Sequence, residues 1–209
     1  EMGSNRVSLA HIISNNSELK NSYELLFGAL PDIAHWPRHA KPDMAEWEQM
    51  SAEDQLTATE IIVNISKAIA AYEATITPPP APIDLFLEEV NKDPEAAADI
   101  LSDEEEHGLR LFIGEGQCVL CHSGSLFTNF EFHNIGLTTP EWMDETDMGR
   151  YTGIDQLRES PFNASGIWSD DPEGEKARRI SQLNQKTEQL GQFKTPHLRD
   201  LLKTGPYMH

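Results

Sequence analysis

Two cysteines are all that this 209-residue chain contains. With no second pair available, a closed structural zinc site, which needs four ligands, is disfavoured from the outset. Long apolar runs are lacking as well: no stretch approaches the roughly 20 residues that a membrane-crossing helix needs. The opening residues Glu1-Met2-Gly3-Ser4-Asn5-Arg6 lack the basic-then-apolar pattern of a secretory leader. Basic residues are few, 16 Lys and Arg against 35 Asp and Glu, for a formal net charge of −19. That balance argues against nucleic acid as a partner and favours brief, salt-sensitive encounters with positively charged proteins. Alternating strand patterns, internal repeats and low-complexity tracts beyond one proline-rich segment are missing too. The expected class is therefore mainly α.

What is present begins with helical periodicity. From Glu53 to Ile76 the residues Ile61, Ile65, Ala68, Tyr72 and Ile76 recur at three- and four-residue steps, which predicts a long helix with one apolar face. Thr77-Pro78-Pro79-Pro80-Ala81-Pro82 cannot continue it and reads as a stiff extended linker. The expected division is a first unit over 1–78, a linker at 79–82 and a second unit over 83–209. A short helix is expected from Ile83 to Val90. Ser102-Asp103-Glu104-Glu105 forms a capping-box sequence that opens a further helix through Phe112. Beyond residue 122 the glycines and prolines Gly124, Gly136, Pro140, Gly149, Gly153 and Pro161 break any period, as loops wrapped around a flat cofactor would. A polar helix is expected from about Gly174 to Leu190, and a shorter one from Pro196 through Leu202.

Both cysteines fall in one string, Cys118-Val119-Leu120-Cys121-His122. C-x-x-C-H is the pattern of covalent haem attachment: two thiols reach the two vinyl groups of one porphyrin, and the next residue places an imidazole nitrogen on the iron. A thioredoxin-like dithiol would sit near a βαβ pattern, whereas here the flank is helical on one side and glycine-rich around the cysteines. The blander alternative is an exposed thiol pair beside an idle histidine. Thioether attachment of haem implies assembly outside the cytoplasm, so the expected location is a bacterial periplasm.

Further strings resemble the bacterial di-haem cytochrome c peroxidase family, which includes the MauG branch that oxidises residues of a partner protein. Gly108-Leu109-Arg110-Leu111-Phe112, Phe127-Thr128, Phe132-His133-Asn134-Ile135-Gly136 and Gly149-Arg150 look like the family's second haem domain. Phe193-Lys194-Thr195-Pro196-His197-Leu198-Arg199 and Thr204-Gly205-Pro206-Tyr207-Met208-His209 look like its TPxLR and TxPYxH segments. Lys67-Ala68-Ile69-Ala70-Ala71-Tyr72-Glu73 is similar to the helix that ends the first haem domain. Glu1-Met2-Gly3 is similar to the segment closing the distal side of the first, peroxide-reactive haem. The resemblance thus implies a cytochrome c-like haem domain preceded by part of a second one, in a chain that starts partway through domain one and stops within a motif.

The resemblance also assigns residues. His122 becomes the proximal ligand of the electron-relay haem. The opposite ligand, a methionine in the peroxidases or a tyrosine in MauG, would lie beyond His209; within the chain Met143, Met148, Met208 and His133 are the candidates, each with packing or a loop position as the reading that outweighs ligation. Glu1 matches a distal glutamate that moves a proton between the oxygens of bound peroxide. Thr204 and Pro206 match positions whose backbone carbonyls bind calcium. Lys194 and Arg199 are candidate partners for haem propionates, with an exposed surface pair as the alternative. His133, His197 and His209 read as hydrogen-bonding residues without a compact metal spacing, and Pro37 spoils a shared helix face for His35 and His39. Trp36, Trp47, Trp142 and Trp168 read as core or loop aromatics, with electron hopping the rival use. The implied activity is hydrogen peroxide reduction, fed by a cytochrome c or cupredoxin donor, with haem c here, a second haem upstream and calcium as the further metal. Rival readings are a MauG-like oxidase acting on a protein substrate and a non-catalytic mono-haem carrier. A homodimer is left open.

Overall fold

The computed structural model of the chain describes residues 4–137, 145–203 and 205. Helices dominate, and the chain divides into two compact units, 1–78 and 79–209.

Among the described residues of the first unit the regular elements are helices. Asn5 opens α1 (Arg6–Asn15) by accepting from the Ser8 N–H at 2.9 Å while the Ser8 hydroxyl receives the Asn5 N–H at 2.8 Å. Asn16 ends α1 and caps α2 (Ser17–Phe27), its side chain accepting from Glu18 and Leu19. Gly28, at φ 89, stops α2 in a conformation that side chains resist. After a loop and the single turn α3 (Ala45–Glu48), Ser51 caps α4 (Ala52–Glu73), whose first turn carries Glu53 and Asp54 at the positive end of the helix dipole. Val7, Ala10, Tyr23, Ile33, Trp36, Ala40, Trp47, Ala58 and Ile61 form one buried cluster. The long helix is where the periodicity predicts it, yet only its first half is buried. Ile61 is 1% exposed, whereas Tyr72, in the last turn, is 68% exposed and Ile76, past the end of the helix at Glu73, is 60% exposed.

The second unit has shorter elements: α5 (Pro82–Glu89), α6 (Pro94–Ala97), α7 (Asp103–Ile113), α8 (Arg150–Glu159) and α9 (Glu175–Ser181). Pro82 is not linker; it is the first helical residue of α5, where its missing N–H costs nothing. The Ser102–Glu105 box forms as read, at 2.9 and 3.3 Å. Two-residue strands β1 (Phe132–His133) and β2 (Phe193–Lys194), which no sequence pattern announces, pair antiparallel.

Three expectations for this unit need correction. The helix foreseen over 174–190 stops at Ser181, where the Gln182 N–H turns back to Arg179 and Ile180 and the Asn184 amide donates to the Gln182 carbonyl, competing with helix bonds. The helix foreseen from Pro196 shrinks to a 3-10 turn at Leu201–Lys203, since Asp200 sits at φ 56 just before it. Conversely, α8 forms where glycines suggested only loop. Gly149 lies against Gln192, and a Cβ there would stand 2.3 Å from the Gln192 oxygen. Asn163 closes the other end of α8, its amide donating to the Leu157 and Arg158 carbonyls at 2.9 and 3.1 Å.

Candidate cofactor site

The cysteine string follows α7 through a tight descent. At Gly116 a Cβ would lie 2.7 Å from the Leu111 oxygen, and Gln117 takes a left-handed φ of 54. Cys118–Leu120 then forms a 3-10 turn, continued as the Cys121 and His122 N–H groups bond to the Cys118 carbonyl at 3.2 and 2.8 Å. Residues three apart eclipse in such a turn, so Cys118 and Cys121 project from the same side. Both thiols are free, Cys118 exposed and Cys121 partly so.

His122 is fixed by one bond. Its Nδ1 lies 2.9 Å from the Phe127 carbonyl, which can only accept, so Nδ1 carries the hydrogen and Nε2 keeps its lone pair for a metal. The loop that supplies this carbonyl is closed by Phe127 N–H to Gly124 at 3.0 Å, Thr128 N–H to Ser123 at 2.8 Å and Asn129 N–H to Cys121 at 2.8 Å. From the other side, buried Thr128 donates its hydroxyl to the Thr195 carbonyl at 2.7 Å, and the Leu198 N–H reaches Leu126 at 3.3 Å. The family-like strings 127–136 and 193–199 are therefore two walls of one loop system.

Arg199 meets a carboxylate of the protein itself. Its Nη1 and Nη2 donate to the two oxygens of Asp84 at 2.6 and 2.7 Å, and its Nε donates to the Ser125 carbonyl at 2.7 Å. The guanidinium, together with the Ala81 N–H at 2.8 Å, holds the Asp84 carboxyl down at a pKa of about 2. Sequence reading missed Asp84, although an acid two residues after a helix-opening proline is a capping signal. It also missed the Phe127 carbonyl, for which no side chain gives a sign.

Lys194 is exposed and lies over the Phe130 ring at 5.3 Å, next to Arg150, whose guanidinium sits 4.5 Å over Phe132. Lys194, Arg150 and Phe132 border a cavity of about 360 Å³, whose apolar wall is completed by Ile154, Leu157, Leu183 and Phe193. His133 contacts the Asn129 amide at 3.2 Å, His197 is exposed and Met148 is 42% exposed. Trp36 and Trp47 belong to the core of the first unit, where the Trp36 indole donates to Asp54 at 2.7 Å. His35 also contacts Asp54, at 3.2 Å, while His39 stays exposed; Trp168 is half-buried. Glu1, Trp142, Met143, Thr204, Pro206, Met208 and His209 lie outside the described residues.

The donor set suits a porphyrin better than a bare ion. Among the described residues no three His, Cys, Asp or Glu side chains converge as a metal site. Two free thiols on one side of a turn, an imidazole with Nε2 free, and the exposed apolar residues Leu111, Leu120, Leu126, Phe130 and Ile135 match a flat apolar ring with two vinyl groups and an iron.

No family model matches the chain, and no solved structure does. Curated relatives do. The chain is 33% identical over 152 residues to the methylamine utilization protein MauG of Paracoccus denitrificans, covering 69% of this chain and 32% of that protein. It is 31% identical over 109 residues to the cytochrome-c peroxidase IdrP1 of Denitromonas iodatirespirans, covering 52% and 28%. With the cytochrome c551 peroxidase of Nitrosomonas europaea it shares 25% identity over 197 residues, covering 94% and 44%. The chain thus spans less than half the length of these relatives. Taken with the loop system around Cys118, Cys121 and His122, these likenesses mean that the chain belongs to the bacterial di-haem cytochrome c peroxidase and MauG family, with its mainly α, cytochrome c-like architecture.

Proposed function

We propose that this chain carries the electron-relay centre of a peroxide-reducing enzyme, holding one c-type haem through thioethers to Cys118 and Cys121 with Nε2 of His122 on the iron. The observation that carries the reading is the His122 Nδ1 bond to the Phe127 carbonyl at 2.9 Å, which presets the imidazole tautomer a metal requires. The haem, when bound, supplies one-electron chemistry. The chain's residues do the rest: the 3-10 turn presents both thiols, each of which adds its S–H across a vinyl group, and Phe127 fixes the ring.

In this reading residues 1–78 are the end of a first cytochrome c-like domain and 83–209 belong to a second. Lys194 neutralises a propionate, Glu1 moves a proton on bound peroxide, and the Thr204 and Pro206 carbonyls hold calcium. Reducing hydrogen peroxide to two waters consumes two electrons and two protons, the electrons coming from a small donor protein. A periplasmic location fits the thioether chemistry, and no helix among the described residues is long and apolar enough to cross a membrane.

Identity to MauG of Paracoccus denitrificans favours a second reading, oxidation of a partner protein by the same relay. One experiment separates the readings: the full gene product, matured with c-type haem, is assayed for covalent haem per polypeptide and for peroxide turnover. Two haems with rapid turnover support the peroxidase. Slow turnover with oxidation of a partner protein supports the MauG-like oxidase, and one haem with no peroxide reaction leaves the mono-haem carrier.

A further inference from the structure

We infer that Arg199 is a positioning residue for the proximal imidazole: through Asp84, Ser125 and the Phe127 ring it holds the Phe127 carbonyl on His122 and thereby sets the reduction potential of the haem. The inference rests on the haem reading above and deepens it.

Phe127 is where support is required. Its backbone sits at φ 51, in the left-handed region that a bulky side chain occupies only when its surroundings impose it. That conformation belongs to the residue whose carbonyl reaches His122 at 2.9 Å. The surroundings are specific. The Phe112 ring meets Phe127 edge to face, centroids 6.1 Å apart at 87°. The Arg199 guanidinium carbon lies 5.1 Å from the Phe127 ring centre. The same guanidinium ties the loop two residues earlier, donating from Nε to the Ser125 carbonyl at 2.7 Å.

Arg199 is itself immobilised by the fork of bonds to both oxygens of Asp84, 115 residues away. Asp84 in turn is pinned to the first turn of α5 by the Ala81 N–H at 2.8 Å. A series of contacts therefore runs from α5 through Asp84, Arg199 and Phe127 to the iron ligand. Arginine suits this place because one planar group bonds a carboxylate at two points, donates to a carbonyl and stacks on a ring. A lysine ammonium offers a single point.

The consequence is electronic. An imidazole that donates from Nδ1 to a carbonyl is a stronger ligand through Nε2, and a stronger donor favours the ferric state and lowers the potential. Loosening Phe127 weakens that bond and raises the potential.

The test uses the full gene product matured with haem. Arg199→Gln, Arg199→Lys, Asp84→Asn and Phe127→Gly are compared with the parent for covalent haem content and for the midpoint potential of this haem. The expected result is unchanged haem content with a reduction equilibrium moved about tenfold towards the ferrous form in Arg199→Gln, about 59 mV for one electron. Arg199→Lys moves in the same direction and does not restore the parent value. Adding Asp84→Asn to Arg199→Gln moves the potential no further, because both act through one series of contacts. Phe127→Gly keeps the carbonyl and tolerates the backbone angle but loses the ring, and it too shifts upward. If Arg199→Gln fails to mature, Asp84→Asn and Phe127→Gly carry the same test. Loaded variants with the parent potential, or additive shifts in the double variant, overturn the inference. A parent protein without covalent haem overturns the haem reading instead, so the two failures are distinct.

Discussion

Asp84 shows how a single residue ties two distant stretches of sequence. Its carboxyl is held at about 2, against an ordinary 3.8, first by the Arg199 guanidinium and then by the Ala81 N–H. A depressed acid stabilises the fold in its ionised form. Its contribution is complete above the ordinary carboxylate value and is lost as pH falls from there towards about 2. Acid titration of the melting temperature should show the parent losing stability across that window relative to Asp84→Asn, which lacks this ionisation; parallel curves would contradict the assignment. The contact lies partly open to solvent, with 22% and 29% of the two side chains exposed, so the loss should be modest. None of this was visible in the sequence, where Asp84 and Arg199 stand 115 positions apart and each reads as one charged residue among many. Cys118, Cys121 and His122 were legible because their chemistry requires them to be adjacent. The Phe127 carbonyl was not, because every residue has one.

Elements were legible in proportion to how local their causes are. The Ser102–Glu105 box and the α4 periodicity act within a few residues, and both form. The two-residue strands depend on partners 60 or more positions apart, as with Thr195 N–H to the Glu131 carbonyl at 2.9 Å, and leave no periodic trace. Helix α8 was hidden by its glycines, and the two have opposite roles. A Cβ at Gly153 meets nothing within 4 Å, whereas one at Gly149 strikes the Gln192 backbone, and φ there is +58. Gly153→Ala should therefore stabilise the second unit by up to about 1 kcal/mol. Gly149→Ala should destabilise it by about 2 kcal/mol or more, from strain plus a backbone clash. Denaturant midpoints of the two variants check both signs.

The whole molecule joins two units with different sources of cohesion. The first buries a continuous apolar cluster of its own, whereas in the second the buried apolar residues among those described are Ala97, Ile154 and Ala177. Two thermal transitions are expected, and haem loading should raise only the one belonging to the second unit. Ile61→Ala, a cavity of a few methylenes in the first core, should lower the other transition at a cost of about 3 kcal/mol. Calorimetry on loaded and unloaded protein separates the two. On the proposed electron-relay reading, the formal charge of −19 would act on the encounter with a donor: for a basic donor the association rate should fall as ionic strength rises through 0.15 M, where screening sets in at about 8 Å, and for an acidic donor it should rise. Stopped-flow reduction over a salt series distinguishes them. The 3-10 turn at Cys118–Leu120 finally imposes an order in time. Two free thiols presented from one side of a turn suit a porphyrin, but they equally suit each other, and in an oxidising compartment they would close into a disulfide. Maturation is then a race, won only if a reductant keeps the pair open until the haem arrives, so the yield of finished protein should follow the supply of reducing equivalents as well as the supply of haem.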